Sequence, residues 1–192
     1  MLCGLDEAGR GPLAGPVCAG AVILPRLFPT HLLNDSKKLS PIKREAARRL
    51  IEEGAVAWGI GWASHEEIDA INILQASLLA MQRAFEAMLL ATKDGTRRII
   101  MEEIDEVIVD GTFVPDIAAP CRALVKADTL IPAVMAASIL AKTARDEEML
   151  RYAARYPQYA YEKHKGYPTE EHRRLIALYG ASPIQRLSFR HG

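Results

Sequence analysis

The sequence predicts an α/β fold, and three observations carry that prediction. Short apolar runs of strand length recur at 1–5, 17–24, 55–62, 107–109 and 122–126. Longer stretches with helical spacing lie between and after them. Residues 156–192 hold two further helical pieces and no strand pattern. The expected layout is therefore a sheet of about five strands flanked by helices (1–155), followed by a helical C-terminal extension (156–192).

The bulk numbers fit one such domain. With 192 residues, 49% hydrophobic and 25% charged, the chain can bury one good core. No apolar run reaches the length of a membrane span, and no basic-then-apolar leader is evident, so a cytoplasmic protein is expected. Cys3, Cys18 and Cys121 lack pairing or metal-like spacing and read as reduced, two of them on buried strands. The net charge of zero hides an asymmetry. Residues 1–141 hold 14 Lys+Arg against 18 Asp+Glu, a net of −4; residues 142–192 hold 10 against 6, a net of +4. An acidic body with a basic tail suits a metal site that meets a phosphate backbone, although chance clustering of surface charge gives the same count.

The first element is GLDEAGRGPLAGPV, Gly4 to Val17. An apolar run leads into Asp6 and Glu7, a glycine-rich turn follows (Gly9-Arg10-Gly11-Pro12), and a second apolar run begins at Val17. This is a hairpin with acids at its mouth. Neighbouring strand residues point to opposite faces, so Asp6 and Glu7 converge only if the strand ends or kinks there. The bland alternative is a solvated turn.

Asp35-Ser36-Lys37-Lys38 comes next as a polar loop. Ser40 and Pro41 open a helix to about Glu53 as N-cap and first helical residue, with Lys43, Arg44, Arg48 and Arg49 as a solvated face. A strand at 55–62 leads to Ser64 and Glu67, a capping box that opens the next helix. A long amphipathic helix then spans about 74–91, its stripe of Leu78, Met81, Phe85 and Met88/Leu89 reading as core. Two more strands end in acids, at Asp110-Gly111 and at Ala127-Asp128. A strand-end acid is usually a cap or turn former. Three of them in one small domain point to a shared site at one sheet edge.

Pro132 starts a helix to about Arg155. Ser138, Lys142 and Arg145 sit at i, i+4 and i+7 on one face of its apolar first half. Such a stripe serves either structural hydrogen bonds with a salt bridge to Asp146 or Glu148, or the acid site. The tail interleaves Tyr, His, Lys and Arg, with Tyr167 held between Gly166 and Pro168. Basic residues among aromatics suit a nucleic-acid surface.

These stretches together resemble ribonuclease HII, the type 2 ribonuclease H family, in its bacterial form. The resemblance runs through GLDEAGRGPLAGPV, DSKKLS (35–40), NILQASLLAM (72–81), VDG (109–111), KAD (126–128), AASILAKTARD (136–146) and HKGYPT (164–169) with a later His172. It implies a ribonuclease H-like fold with a mixed central sheet. It also implies substrate contacts from the backbone of Gly9, Arg10 and Gly11, from Lys37 and Lys38 on phosphates, and from Tyr167 over the ribonucleotide. Two departures stand out. Residues 92–106 look like an insertion, an extra helical turn or a small hairpin. Gln185-Arg186-Leu187-Ser188-Phe189 replaces a His-Arg-Arg-Ser-Phe run, which leaves that segment a structural or backbone-binding role at most.

The acids Asp6, Glu7, Asp110 and Asp128, if packed together, need protons or cations, because two like charges at 4 Å repel by ~4 kcal/mol at an effective dielectric near 20. An all-oxygen set without Cys or His selects Mg²⁺ or Mn²⁺ over zinc. The resemblance implies two such ions and hydrolysis to 5′-phosphate and 3′-hydroxyl ends. The expected substrates are RNA in RNA–DNA hybrids and single ribonucleotides embedded in duplex DNA, with the Ser138, Lys142 and Arg145 stripe facing the scissile phosphate and the protein acting as a monomer. The rival readings are ribonuclease HIII or another ribonuclease H-like metal nuclease, a non-catalytic nucleic-acid-binding domain, and a generic small-molecule phosphohydrolase.

Overall fold

The computed structural model describes residues 1–33, 39–90, 92, 93, 97, 98 and 101–189. In chain order these form β1 (Leu2–Ala8), β2 (Val17–Ile23), α1 (Pro41–Gly54), β3 (Ala57–Ala63), α2 (His65–Leu90), and the two-residue strands β4 (Thr92–Lys93) and β5 (Arg97–Arg98). Then come β6 (Glu106–Asp110), β7 (Cys121–Leu124), α3 (Ala127–Leu130), α4 (Pro132–Arg155), α5 (Tyr161–His164) and α6 (Glu170–Tyr179).

Among the described residues one five-stranded sheet runs in the order β3-β2-β1-β6-β7. The hairpin pairs β1 with β2 antiparallel, and β3 extends it antiparallel. On the other side β6 and β7 join in parallel, so the sheet is mixed as expected. One face packs on α2 through Cys3, Leu5, Val17, Ala19, Ala80, Ala84 and Phe85. The other carries α4 and α1, with Val22, Ile51, Ala136, Ala137 and Ile139 between. Burial pushes the Cys3 thiol up to about 12, so it stays an uncharged core group.

Glycines in β1 and β2 let α4 lie close to the sheet. A Cβ on Gly4 would come within 2.3 Å of the Ala133 backbone, and one on Gly20 within 2.5 Å of the Ala137 carbonyl oxygen. That close approach seats the next turn of α4, with Ser138, against the end of β1.

Local signals place most elements. Ser40 Oγ caps α1 by accepting from the Lys43 amide, and the Ser64–Glu67 capping box forms in both directions at 2.8 and 3.1 Å. The α4 bounds match the expectation. Helix α2 holds the two helices expected, one from the Ser64–Glu67 cap and one after the break at Asn72 (φ 68°), whose Oδ1 caps it through the Gln75 amide. Other elements differ from the expectation. The basic residues of α1 are not all solvated: Arg44 reaches Asp146 on α4 at 3.4 Å, and Arg48 pairs with Glu147. The 92–106 segment holds both options raised for it, a small β4–β5 hairpin and a 3-10 turn at Met101–Glu103. Among the described residues no helix is long and apolar enough to cross a membrane.

Candidate active site

The sheet register brings the acids together. Leu5 pairs with Val109 across the parallel β1–β6 ladder, so Asp6 and Asp110 follow as neighbours at the same end. Asp110 pairs in turn with Leu124 on β7. Here the expectation needs correcting, because Asp128 does not end a strand. The chain leaves β7, turns through Lys126 in the left-handed region (φ 63°), and places Asp128 in the first turn of α3. Its amide faces Asp110 Oδ1 at 3.5 Å. One carboxylate oxygen from each of Asp6, Asp110 and Asp128 lies within 4.8 Å of the others.

Glu7 stands beside this trio. The strand does not end at the acids: β1 stays paired with β2 through Ala8, so the Asp6 and Glu7 side chains start from opposite faces, as the condition read from the sequence requires. The Glu7 carboxylate accepts from Arg10 at 3.3 Å. Burial is the first cause that raises the Asp6 carboxyl well above the carboxylate range; the charges of Glu7 and Asp110 add to it, while Ser138 and the Glu7 amide (2.7 Å) oppose it. Burial also raises Glu7, against the pull of Arg10 and with a further push from Asp110. A site that resists its own charge in this way fits a divalent cation, and its donors are all carboxylate oxygen.

Next to the acids opens a cavity of about 250 Å³, lined by Glu7, Gly9, Arg10, Gly11, Ser138, Lys142 and Tyr167 among others. A Cβ on Gly11 would stand 3.7 Å from Tyr167 Cε1, so these two residues form opposite walls of a slot. Lys142 Nζ pairs with Asp146 at 2.7 Å and sits 5.8 Å from the Tyr167 ring centre. The salt-bridge option for the polar stripe thus holds for Lys142, which lines the cavity as well.

Arg145 is not at the acids. Seven residues on from Ser138 it lies about 10.5 Å further along the helix axis. There it is fully buried under the β1–β2 loop, donating to Pro16 O (3.0 Å), Lys165 O (3.2 Å) and Ala14 O (3.3 Å). It supports the site and cannot meet a phosphate. Gly9 is what admits it, with φ +100° and a Cβ position only 2.0 Å from Arg145 Nε. Lys37 and Lys38 lie outside the described residues.

A second buried guanidinium was not singled out from the sequence. Arg186 donates to the carbonyls of Gly9 (2.7 Å), Arg10 (3.0 Å), Pro12 (2.8 Å), Gly15 (2.9 Å) and Pro16 (3.1 Å). Of the two roles left open for its segment, these bonds are the structural one, on this chain's own loop. In a planar trans peptide the C=O and the following N–H point in opposite directions. With the Gly9 and Arg10 carbonyls turned to Arg186, the amides of Arg10 and Gly11 point away from it.

A family profile described as Ribonuclease HII matches residues 3–191. The chain belongs to the ribonuclease HII family. It is 56% identical to the ribonuclease HII of Treponema denticola, with 98% of each chain covered. It is 49% identical to that of Dechloromonas aromatica, covering 98% of this chain and 90% of the relative. Among solved structures it is similar to the ribonuclease H2 of Pyrococcus horikoshii, with a TM-score of 0.72, 26% identity, and 99% and 94% of the two chains covered. A ribonuclease HIII solved in complex with Mn²⁺ shares the fold at a TM-score of 0.74 and 19% identity, covering 99% of this chain and 67% of that one. As a ribonuclease HII the chain is a metal-dependent hydrolytic endonuclease of type 2 ribonuclease H, acting on RNA–DNA hybrids. The α/β architecture with a mixed five-stranded sheet is the one expected.

Proposed function

We propose that this ribonuclease HII nicks duplex DNA on the 5′ side of a single embedded ribonucleotide, besides cutting RNA in hybrids, and leaves 5′-phosphate and 3′-hydroxyl ends. One observation carries the reading: Glu7, beside the acid trio, and Ser138, the partner of Asp6, line a cavity that Gly11 and Tyr167 also wall. At one position only the 2′-hydroxyl separates RNA from DNA, so a reader of single ribonucleotides needs a site beside the scissile bond that touches the sugar closely. A glycine wall allows that approach, and the outward amides of Arg10 and Gly11 can donate to a sugar hydroxyl.

Asp6, Asp110 and Asp128 would hold Mg²⁺ or Mn²⁺, with Glu7 as the fourth carboxylate at the rim. Two divalent ions bound there would supply Lewis acidity toward the attacking water and the departing 3′ oxygen. The chain's own residues do the rest. Ser138 fixes the Asp6 carboxylate. Lys142, its charge balanced in part by Asp146, offers an ammonium to a phosphate oxygen at the cavity wall. Tyr167 closes over the sugar, and Lys37 and Lys38 would take backbone phosphates further along. The acids and the slot come from one chain, so a monomer suffices.

The test compares Tyr167→Ala with the parent on two substrates. Its loss in kcat/KM should be at least tenfold greater on a duplex with one ribonucleotide than on a long hybrid. Equal losses on both would refute the role of the slot in ribonucleotide recognition.

A further inference from the structure

Two buried imidazoles hold the main chain around Tyr167, one at Gly166 and one at the Tyr167 carbonyl, and neither belongs to the acid site. His164 and His172 stack with ring centres 4.3 Å apart and planes 16° from parallel. Tyr161 packs its edge against both. On one side of the tyrosine, the Gly166 amide donates to His164 Nδ1 at 3.2 Å. On the other, His172 Nδ1 lies 2.9 Å from the Tyr167 carbonyl oxygen.

The partners assign the protons. A carbonyl oxygen only accepts, so His172 carries its hydrogen on Nδ1. His164 Nε2 lies 2.9 Å from the Tyr159 carbonyl oxygen and therefore carries the hydrogen there, leaving Nδ1 bare to accept from Gly166. His164 is thus the neutral ring in a defined tautomer. Burial, and the nearby Lys165 ammonium, push its pKa below the ordinary imidazole range, against the Tyr159 carbonyl, Glu171 and Glu162. Elsewhere the turn is tied down as well: Tyr167 N donates to His164 O (2.9 Å), Thr169 N to Tyr167 O (2.8 Å), and Leu13 N to Gly166 O (2.8 Å). The last bond joins the tyrosine turn to the β1–β2 loop, the other wall of the slot.

We infer that His164 and His172 are positioning residues for ribonucleotide recognition: the stacked pair fixes the Lys165–Gly166 and Tyr167–Pro168 peptide groups on either side of Tyr167 and so sets the width of the slot against Gly11. The inference rests on the proposed role of Tyr167. A structural role alone would need only the rings, for packing. A positioning role needs the Nδ1–H of His172 at its present place.

Three variants separate these roles, read by kcat and KM on a duplex with one ribonucleotide. His172→Phe keeps a ring in the stack and deletes the donor. His172→Asn carries an amide N–H near the Nδ1 position and deletes the ring. The third is His172→Phe in the Tyr167→Ala background. The inference predicts about a tenfold loss in kcat/KM for His172→Phe, the size of one hydrogen bond. It predicts a loss within about threefold for His172→Asn, and no further loss from His172→Phe once Tyr167 is gone. Thermal melts identify any variant that fails to fold; if His172→Phe does so, the Asn variant with and without Tyr167→Ala carries the comparison. Equal losses from His172→Phe in both backgrounds, or parent-like activity of His172→Phe, would overturn the inference. If Tyr167→Ala alone leaves kcat/KM unaltered, the role of Tyr167 itself has failed, and the inference falls with it.

Discussion

Replacing Asp6 by Asn should stabilise the metal-free protein while it abolishes cleavage. Asp6 is 5% exposed, and an oxygen of its carboxylate lies within 4.8 Å of those of Asp110 and Asp128. At that distance and an effective dielectric near 20, each like-charged pair is unfavourable by roughly 3.5 kcal/mol when both are ionised. Burial first, and then the charges of Glu7 and Asp110, raise the Asp6 carboxyl, so a proton taken up as pH falls relieves part of this repulsion. The folded state therefore binds more protons than the unfolded chain just above the ordinary carboxylate range, and stability falls as pH rises through that window. Asparagine removes the charge and keeps an oxygen for the Glu7 amide and a polar group for Ser138. A gain of about 1–3 kcal/mol at pH 7 follows after discounting for the protonated fraction, or roughly 3–8 °C in Tm. The assay is thermal unfolding from pH 5 to 8 in a chelator and again in Mg²⁺. The parent should lose stability with rising pH in the chelator and recover it in Mg²⁺, whereas Asp6→Asn should be flat and largely indifferent to Mg²⁺. A variant less stable than the parent without metal, or equally stabilised by Mg²⁺, would refute the reasoning.

Further expectations concern the loop beside the acids. Arg186→Met should cost about 3–5 kcal/mol, because five carbonyls, four of them in buried bonds, lose a charged donor together; chemical denaturation measures it, and a loss under 1 kcal/mol would contradict the clamp. Gly9→Ala should lower stability by at least about 2 kcal/mol and impair cleavage, since φ +100° and the overlap with Arg145 act together; a neutral variant in melts and assays would count against both. Lys142→Ala should raise KM about tenfold and leave the fold intact, as Arg44 still pairs with Asp146 once the part-buried Lys142 bond is lost; an unaltered KM would remove Lys142 from the phosphate site.

Much of this arrangement was legible in the sequence because local chemistry fixed it. Ser40, Ser64 with Glu67, and Pro132 are helix starts whose capping does not depend on distant contacts. The hairpin could be read from two apolar runs and a glycine turn. What escaped was set by tertiary distance. The i, i+4, i+7 spacing put Ser138 and Arg145 on one face, as expected, but a helix face two turns long passes from the acids to the loop behind them. Arg186 lies about 170 residues from the carbonyls it holds, beyond any local pattern, and in the sequence it was one more basic residue of a basic tail. Asp128 looked like a strand end because the 122–126 run, apolar at Ala123, Leu124 and Val125, leads straight to it; the left-handed turn at Lys126 shows only in the backbone. The break at Asn72, by contrast, is a local feature: the helix expected from about Leu74 is capped by the Asn with Gln three residues on.

The most direct test uses a labelled DNA duplex with one ribonucleotide, beside its all-DNA counterpart, in Mg²⁺, in Mn²⁺ and in a chelator. A single nick immediately 5′ to the ribonucleotide, dependent on the metal and absent from the control, is the predicted result. Cleavage of long hybrids without that nick would contradict the account of the slot between Gly11 and Tyr167.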